Sequence, residues 1–281
     1  MNNKLIPNDK RFLIGFDMDG TLLKDDDKTI SKATLEYLQE LSRQGHIIVL
    51  ASGRPESELR HYHQQLGLSS PIACFNGVAT ISKNDKDFPP LRFNFPRQWA
   101  YQLMDFFIKK LGWDTAFCET DEKIWMYKKD QKVIDFMWSH GADRPFIFGD
   151  FKDTLKEDPM TIIFFKHNDR DDREIVRQEV KKYPNADVRF WFGTNIAELD
   201  FGKADKALAL NHIRKYYGIK KENTIVFGDY LNDIGMIKWA HHGVAMKNAV
   251  DEVKKAADYI TEDDNNHDGI IATLKSIIES N

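Results

Sequence analysis

Uninterrupted apolar runs, each closed by small or polar residues, recur near both ends of the chain. They cover residues 12–16, 47–51, 72–75, 224–227 and 243–246. Continuous runs of this kind, rather than strict apolar–polar alternation, predict strands buried on both faces. Between them lie stretches with apolar residues at helical spacing. Residues 31–44 carry Leu35, Leu38 and Leu41, open on Ser31 as a cap candidate and close on Gly45. Residues 56–66 and 206–217 read the same way. Alternating strands and helices predict a parallel sheet covered on both sides and joined by right-handed crossovers. In such sheets ligands gather beyond the carboxyl ends of the strands. The polar tails Asp17-Met18-Asp19-Gly20-Thr21, Ser52-Gly53-Arg54, Asn76-Gly77 and Gly228-Asp229 all fall at those ends.

The middle of the chain, residues 85–198, has a different texture. It holds five of the six Trp and 14 of the 19 Phe, which requires a core of its own. Stretches 116–119 and 124–127 flank Thr120-Asp121-Glu122-Lys123 and predict an antiparallel hairpin. Further strands are expected at 161–166 and 188–192, and helices at 97–111, 131–140 and 171–183. The expected class is therefore α/β, a Rossmann-like parallel-sheet core split by an α+β insertion. The core would take residues 1–84 and 199–281, and the insertion residues 85–198. No internal repeat or low-complexity segment is visible.

Composition narrows the function. Apolar residues make up 42% and charged residues 30% of the 281, as in an ordinary globular protein. Net charge is −4 with both signs interspersed, so no basic face is offered to nucleic acid. No apolar run approaches the about 20 residues of a membrane helix. The first ten residues are polar and lead into a core strand, so no secretory signal is expected. Cys74 and Cys118 lack a CxxC partner and lie in apolar stretches. They read as reduced packing residues of a cytoplasmic protein.

The candidate chemistry sits in the polar tails. Burying two carboxylates one residue apart, Asp17 and Asp19, is costly unless they are paired or metal-bound. A hard Mg²⁺ ion takes oxygen ligands, and Asp17 and Asp229 can supply carboxylates. The metal and Lys206 would offset the charge that otherwise repels a carboxylate from a phosphate ester. Ser52 and the backbone amide of Gly53 can donate to phosphate oxygens at a strand-to-helix turn. Asn232 and Asp233 follow Asp229 closely enough to join the same site. In that scheme Asp17 attacks phosphorus, and Asp19 protonates the leaving alcohol and later deprotonates water. Asp19 should then hold its proton more tightly than Asp17.

Together Asp17-Met18-Asp19-Gly20-Thr21, Ser52, Lys206 and Gly228-Asp229-x-x-Asn232-Asp233 resemble the signature of the haloacid dehalogenase (HAD) superfamily of phosphohydrolases. The long gap between Ser52 and Lys206 is similar to that of the Cof-type subgroup, in which a large C2B α/β cap is inserted after the third strand. The run Gly243-Val244-Ala245-Met246-Lys247-Asn248-Ala249 and Asp268-Gly269 also resemble that subgroup's ending. The resemblance is close over residues 11–81 and 199–273 and holds only in outline over the cap. It implies that Asp17 is nucleophile and metal ligand, and that Asp19 is acid/base and gives a backbone carbonyl to Mg²⁺. Asp229 would bind the metal directly, and Asp233 directly or through water. Ser52, Lys206 and Asn232 would hold the phosphate. The cap would exclude water on closing and release product on opening. Two departures are visible: Ala207 stands where the subgroup usually has Gly, and Lys203 where a Gly often does.

The expected function is Mg²⁺-dependent hydrolysis of small phosphate monoesters, sugar phosphates or related metabolites, by a monomer or weak homo-oligomer. A phosphomutase with the same aspartyl-phosphate chemistry and a non-catalytic phosphate-sensing module are the rivals; keeping both Asp17 and Asp19 argues against the second. Plainer roles stay open at single residues. Ser52 can be a helix cap, Lys206 a solvated helix lysine with Lys203 as competitor, and Asp229 and Asp233 helix caps. Arg54 can pair within the core or touch substrate, and Asn76-Gly77 can be a simple turn. Asp25-Asp26-Asp27, residues 169–174 and Glu262-Asp263-Asp264 read as solvated charges, and His241-His242 as a loop.

Overall fold

A computed structural model of the chain describes residues 10–138, 144–168, 170–191, 193–202 and 204–280. Residues 1–9 and His140, Asp169, Phe192 and Lys203, on which expectations above fall, lie outside the described residues. The chain forms two compact units. One runs up to Leu91 and resumes at Asp205; the other is Arg92–Ala204.

The first unit begins with β1 (Leu13–Phe16), α1 (Lys32–Gln44), β2 (Ile47–Leu50), α2 (Glu56–Gln65), β3 (Ile72–Cys74) and β4 (Ala79–Ile81). α1 starts where the Ser31 hydroxyl accepts from the Thr34 N–H, and ends on left-handed Gly45 at φ 104°. β3 departs from expectation. It pairs antiparallel with β4 and meets the main sheet through a parallel bridge between Ala51 and Ala73. The chain reverses because Phe75, Asn76 and Gly77 all take positive φ.

The second unit contains α3 (Arg97–Met104), β5 (Thr115–Glu119), β6 (Ile124–Met126), α4 (Gln131–Met137), β7 (Phe146–Phe148), α5 (Phe151–Thr154), β8 (Thr161–Phe165), α6 (Arg173–Val180), β9 (Ala186–Phe190) and β10 (Ile196–Phe201). Its sheet has the order β7-β6-β5-β8-β10-β9. Pairing is antiparallel throughout except for β6 with β7, which is parallel. The helix expected over 97–111 is α-helical only to Met104 and continues as a π-helix over Asp105–Lys110. Alternate residues of β5 and β8 serve two cores. Cys118, Ile162 and Phe164 pack with Phe107, Trp113 and Trp125, and Phe117, Ile163 and Phe165 with Met126 and Trp138.

The chain returns to the first unit with α7 (Lys206–Tyr216), β11 (Thr224–Gly228), α8 (Ile234–Trp239), β12 (His242–Ala245), α9 (Asp251–Ala256), β13 (Tyr259–Ile260) and α10 (Gly269–Glu279). The main sheet is parallel, in the order β13-β12-β11-β1-β2, with β1 between β2 and β11. His242, expected in a loop, is the first residue of β12 and is buried. Gly15 of β1 lets α7 approach: a Cβ there would stand 3.0 Å from Leu210 Cδ2. Close packing at Gly15 brings the first residue of α7, Lys206, to the end of β1. The divisions at 91/92 and 204/205 lie beyond those expected at 84/85 and 198/199. Thr80 exchanges hydrogen bonds with Leu91, and β10 carries the second sheet on to Phe201.

Candidate active site

Every residue assigned to chemistry above lies in the first unit. Asp17 follows β1, its N–H donating to the Phe227 carbonyl of β11 at 3.0 Å. Lys206 is fully buried, and its Nζ donates to Asp17 Oδ1 at 2.5 Å and to Asp233 Oδ1 at 2.7 Å. The solvated reading of this lysine is therefore wrong. Asp233 Oδ2 accepts from the N–H groups of Asp229 and Tyr230, both at 3.0 Å, and so closes the loop after β11. Asp229 Oδ1 accepts from the Thr21 hydroxyl at 2.7 Å. Gly20 has φ 75°, and a Cβ there would meet Asp229 Oδ2 at 2.5 Å. The Gly-Thr that follows Asp19 is thus needed to seat Asp229.

Carboxylate oxygens of Asp17, Asp229 and Asp233 all lie within 4.8 Å of one another. Three carboxylates against the one ammonium of Lys206 leave two negative charges when all are ionised. Burial, then the Asp233 charge, pushes Asp17 up to about 8 in spite of Lys206. Burial likewise raises Asp229 to about 7, against the Thr21 hydrogen bond. Burial works against the Lys206 charge, but Asp17 and Asp233 outweigh it and raise its pKa. An all-oxygen, electron-rich set with a charge deficit of this size fits a hard divalent cation.

Asp19 is turned elsewhere. Arg54 grips its carboxylate with both arms, Nε to Oδ2 at 2.8 Å and Nη2 to Oδ1 at 2.6 Å, and Lys28 Nζ stands 3.5 Å from Oδ1. Burial would raise the Asp19 pKa, but Arg54 and Lys28 overcome it and hold it below the ordinary value. In the metal-free chain this reverses the expectation that Asp19 keeps its proton more tightly than Asp17. The cause is a guanidinium fork on one acid, and burial followed by crowding by acids on the other.

Ser52 is buried after β2, with its N–H on the Ala73 carbonyl and its hydroxyl accepting from Arg54 N–H at 3.2 Å. It does not cap α2, whose cap position is Pro55. Gly53 is exposed beside it. Asn232 Nδ2 donates to Asn76 Oδ1 at 3.0 Å. Sequence reasoning missed Lys28, the Thr21 bond to Asp229, and Asn248, whose Nδ2 donates to the Gly20 carbonyl at 2.7 Å. Thr21 lies in the Asp17-Met18-Asp19-Gly20-Thr21 motif and Asn248 in the run after β12, whereas Lys28 carried no signal.

The match to a family model, haloacid dehalogenase-like hydrolase, spans residues 14–274. The chain belongs to that family. It is 32% identical over 270 residues to the 5-amino-6-(5-phospho-D-ribitylamino)uracil phosphatase YitU of Bacillus subtilis, covering 95% of this chain and 97% of that one. A haloacid dehalogenase-like hydrolase from Bacteroides thetaiotaomicron superposes with a TM-score of 0.79 at 27% identity, covering 95% and 99% of the two chains. A HAD subclass IIB sugar phosphatase gives a TM-score of 0.76 at 25% identity over 95% and 98%. The protein is accordingly a phosphatase of this family, and its α/β fold is shared with these structural neighbours. Among the described residues no helix is long and apolar enough to cross a membrane.

Proposed function

We propose that the protein hydrolyses small phosphate monoesters with Mg²⁺ through an aspartyl-phosphate at Asp17. The observation that carries this reading is the buried cluster in which Asp17 meets Lys206 while Asp229 and Asp233 stand within 4.8 Å. Asp17, Asp229 and Asp233 would hold the cation, with the Asp19 backbone carbonyl as a further ligand. Bound there, Mg²⁺ would neutralise the carboxylates and polarise the phosphate.

The chain's own residues do the rest. Lys206, Ser52, the Gly53 amide and Asn232 hold the phosphate oxygens. An Asp17 oxygen attacks phosphorus, the bond to the ester oxygen breaks, and Asp19 gives that oxygen its proton. Asp19 then takes a proton from the water that attacks phosphorus and frees Asp17. The Arg54 fork, which favours ionised Asp19, suits this second half; the first half needs the fork to loosen. Two buried cysteines, one in each unit and neither in a disulfide, support a cytoplasmic location.

Sugar phosphates and related metabolites are the substrate class. The likeness to a ribitylamino-uracil phosphatase over nearly the whole chain favours a phosphorylated sugar alcohol on a pyrimidine as one member. The test is phosphate release, with Mg²⁺, from p-nitrophenyl phosphate and a panel of sugar phosphates, nucleotides, phosphorylated cofactors and 5-amino-6-(5-phospho-D-ribitylamino)uracil. Release from at least one panel member, lost on chelation, is expected. Silence across the panel would favour a phosphate-sensing module, and isomerised sugar phosphate without release would favour a mutase.

A further inference from the structure

Phe75, Asn76 and Gly77 have φ of 51°, 54° and 89°, three successive left-handed residues between β3 and β4. Such a conformation is strained for Phe and persists only where the surroundings over-determine it. Here three segments of the same unit do so. Phe75 N–H donates to the Arg54 carbonyl at 3.1 Å, and Asn76 N–H to the Ser52 carbonyl at 2.9 Å. A Cβ on Gly77 would stand 2.0 Å from the Asp205 carbonyl oxygen and 2.8 Å from Lys206 N, so only glycine lets the turn abut the start of α7. Asn76 Oδ1 takes the hydrogen bond from Asn232 Nδ2. One turn therefore bears on all three segments that carry Ser52, Lys206 and Asn232.

We propose that Asn76 is a positioning residue for phosphate, acting through Asn232; this rests on Asn232 being a phosphate ligand. A free asparagine side chain can present either its NH₂ or its carbonyl oxygen, and the oxygen repels phosphate. By accepting one N–H of Asn232, Asn76 selects the NH₂ end and leaves the second N–H to donate to the ligand.

The test uses the Mg²⁺-loaded full chain, p-nitrophenyl phosphate as substrate and inorganic phosphate as competitive inhibitor. Asn76→Gly removes the amide and keeps the left-handed backbone. KM and the phosphate inhibition constant should rise about tenfold, the scale of one hydrogen bond to a charged group. kcat should stay within about threefold, as for lost uniform binding. Asn76→Ala should give the same constants at a lower Tm, because alanine is strained at this φ. In an Asn232→Ala background, Asn76→Gly should add nothing. Wild-type constants in Asn76→Gly, or additive effects in the double variant, overturn the proposal. An Asn232→Ala protein with unaltered phosphate affinity overturns it as well, and leaves the Asp17 reading to its own test by Asp17→Asn.

Discussion

At Asp17 catalysis and stability pull in opposite directions, while at Lys206 they pull together. The Asp17 pKa rises from 3.8 in the unfolded chain to about 8 in the fold. Between those values the folded, metal-free protein binds the extra proton, so its stability falls as pH rises through that window. An amide in place of the carboxyl would mimic the protonated acid. Asp17→Asn is therefore expected to cost at least about 10⁴-fold in turnover while losing no stability. In chelator, urea unfolding should show the variant gaining on the wild type as pH rises from about 4 to about 8. A wild-type rate in Asp17→Asn would remove the nucleophile assignment. Lys206→Met should instead cost stability. It strips the bridging ammonium from two buried carboxylates, a change on the scale of about 3–5 kcal/mol. The loss should be greatest in chelator at high pH and shrink when Mg²⁺ is added, read as the shift in urea midpoint.

Single elements carry their own pH signature. The His46 ring lies between α1 and β2 and accepts the Phe12 N–H on Nδ1 at 3.1 Å. Burial, with some help from Arg11, lowers its pKa from 6.5 to about 4. The unfolded chain binds the proton first, so the stability tied to neutral His46 is complete above about pH 6.5 and fades as pH falls toward 4. At most about 3 kcal/mol is involved. Thermal melts from pH 7 to pH 4.5 should show a smaller acid loss for His46→Asn than for the wild type; equal losses would show that His46 is not the group responsible. Much of this architecture was legible in the chain. The runs that became β1, β2 and β11 are wholly buried and read as such, and Ser31 and Gly45 marked both ends of α1. β7 was not legible: Phe146-Ile147-Phe148 is short, lies between Pro145 and Gly149, and gains meaning only when paired with β6. The reversal after β3 was equally hidden, since Phe75 has no intrinsic taste for positive φ. At the site, the residue types named their chemistry, but which cation serves which acid did not follow. Arg54 and Asp19 are separated by a helix and a strand, and only the fold brings them together.

On the scale of the whole molecule, the residues assigned to binding fall in only one of the two units. Each has its own sheet and buried core, and Arg92–Ala204 contains none of the residues assigned to metal or phosphate. A ligand that binds only the folded form of one unit stabilises that unit by mass action, by about 2.7 kcal/mol at one hundred times its Kd. Mg²⁺ should therefore act selectively in hydrogen exchange. Amides of β1, β2, β11 and β12, whose exchange requires opening of the first unit, should slow by about 100-fold in saturating Mg²⁺. Amides of β5, β8 and β10 should exchange at the same rate with or without it. Asp229→Asn and Asp17→Asn should each weaken the protection, because each removes a charged ligand from the cluster. Asp19→Asn should weaken it little, since the Asp19 side chain is held by Arg54 and stands apart from the other three. Slowing of equal size in both sheets would mean that the units open as a single cooperative body. Slowing confined to the second sheet would place the cation away from Asp17, and with it the phosphate that Asp17 is proposed to attack.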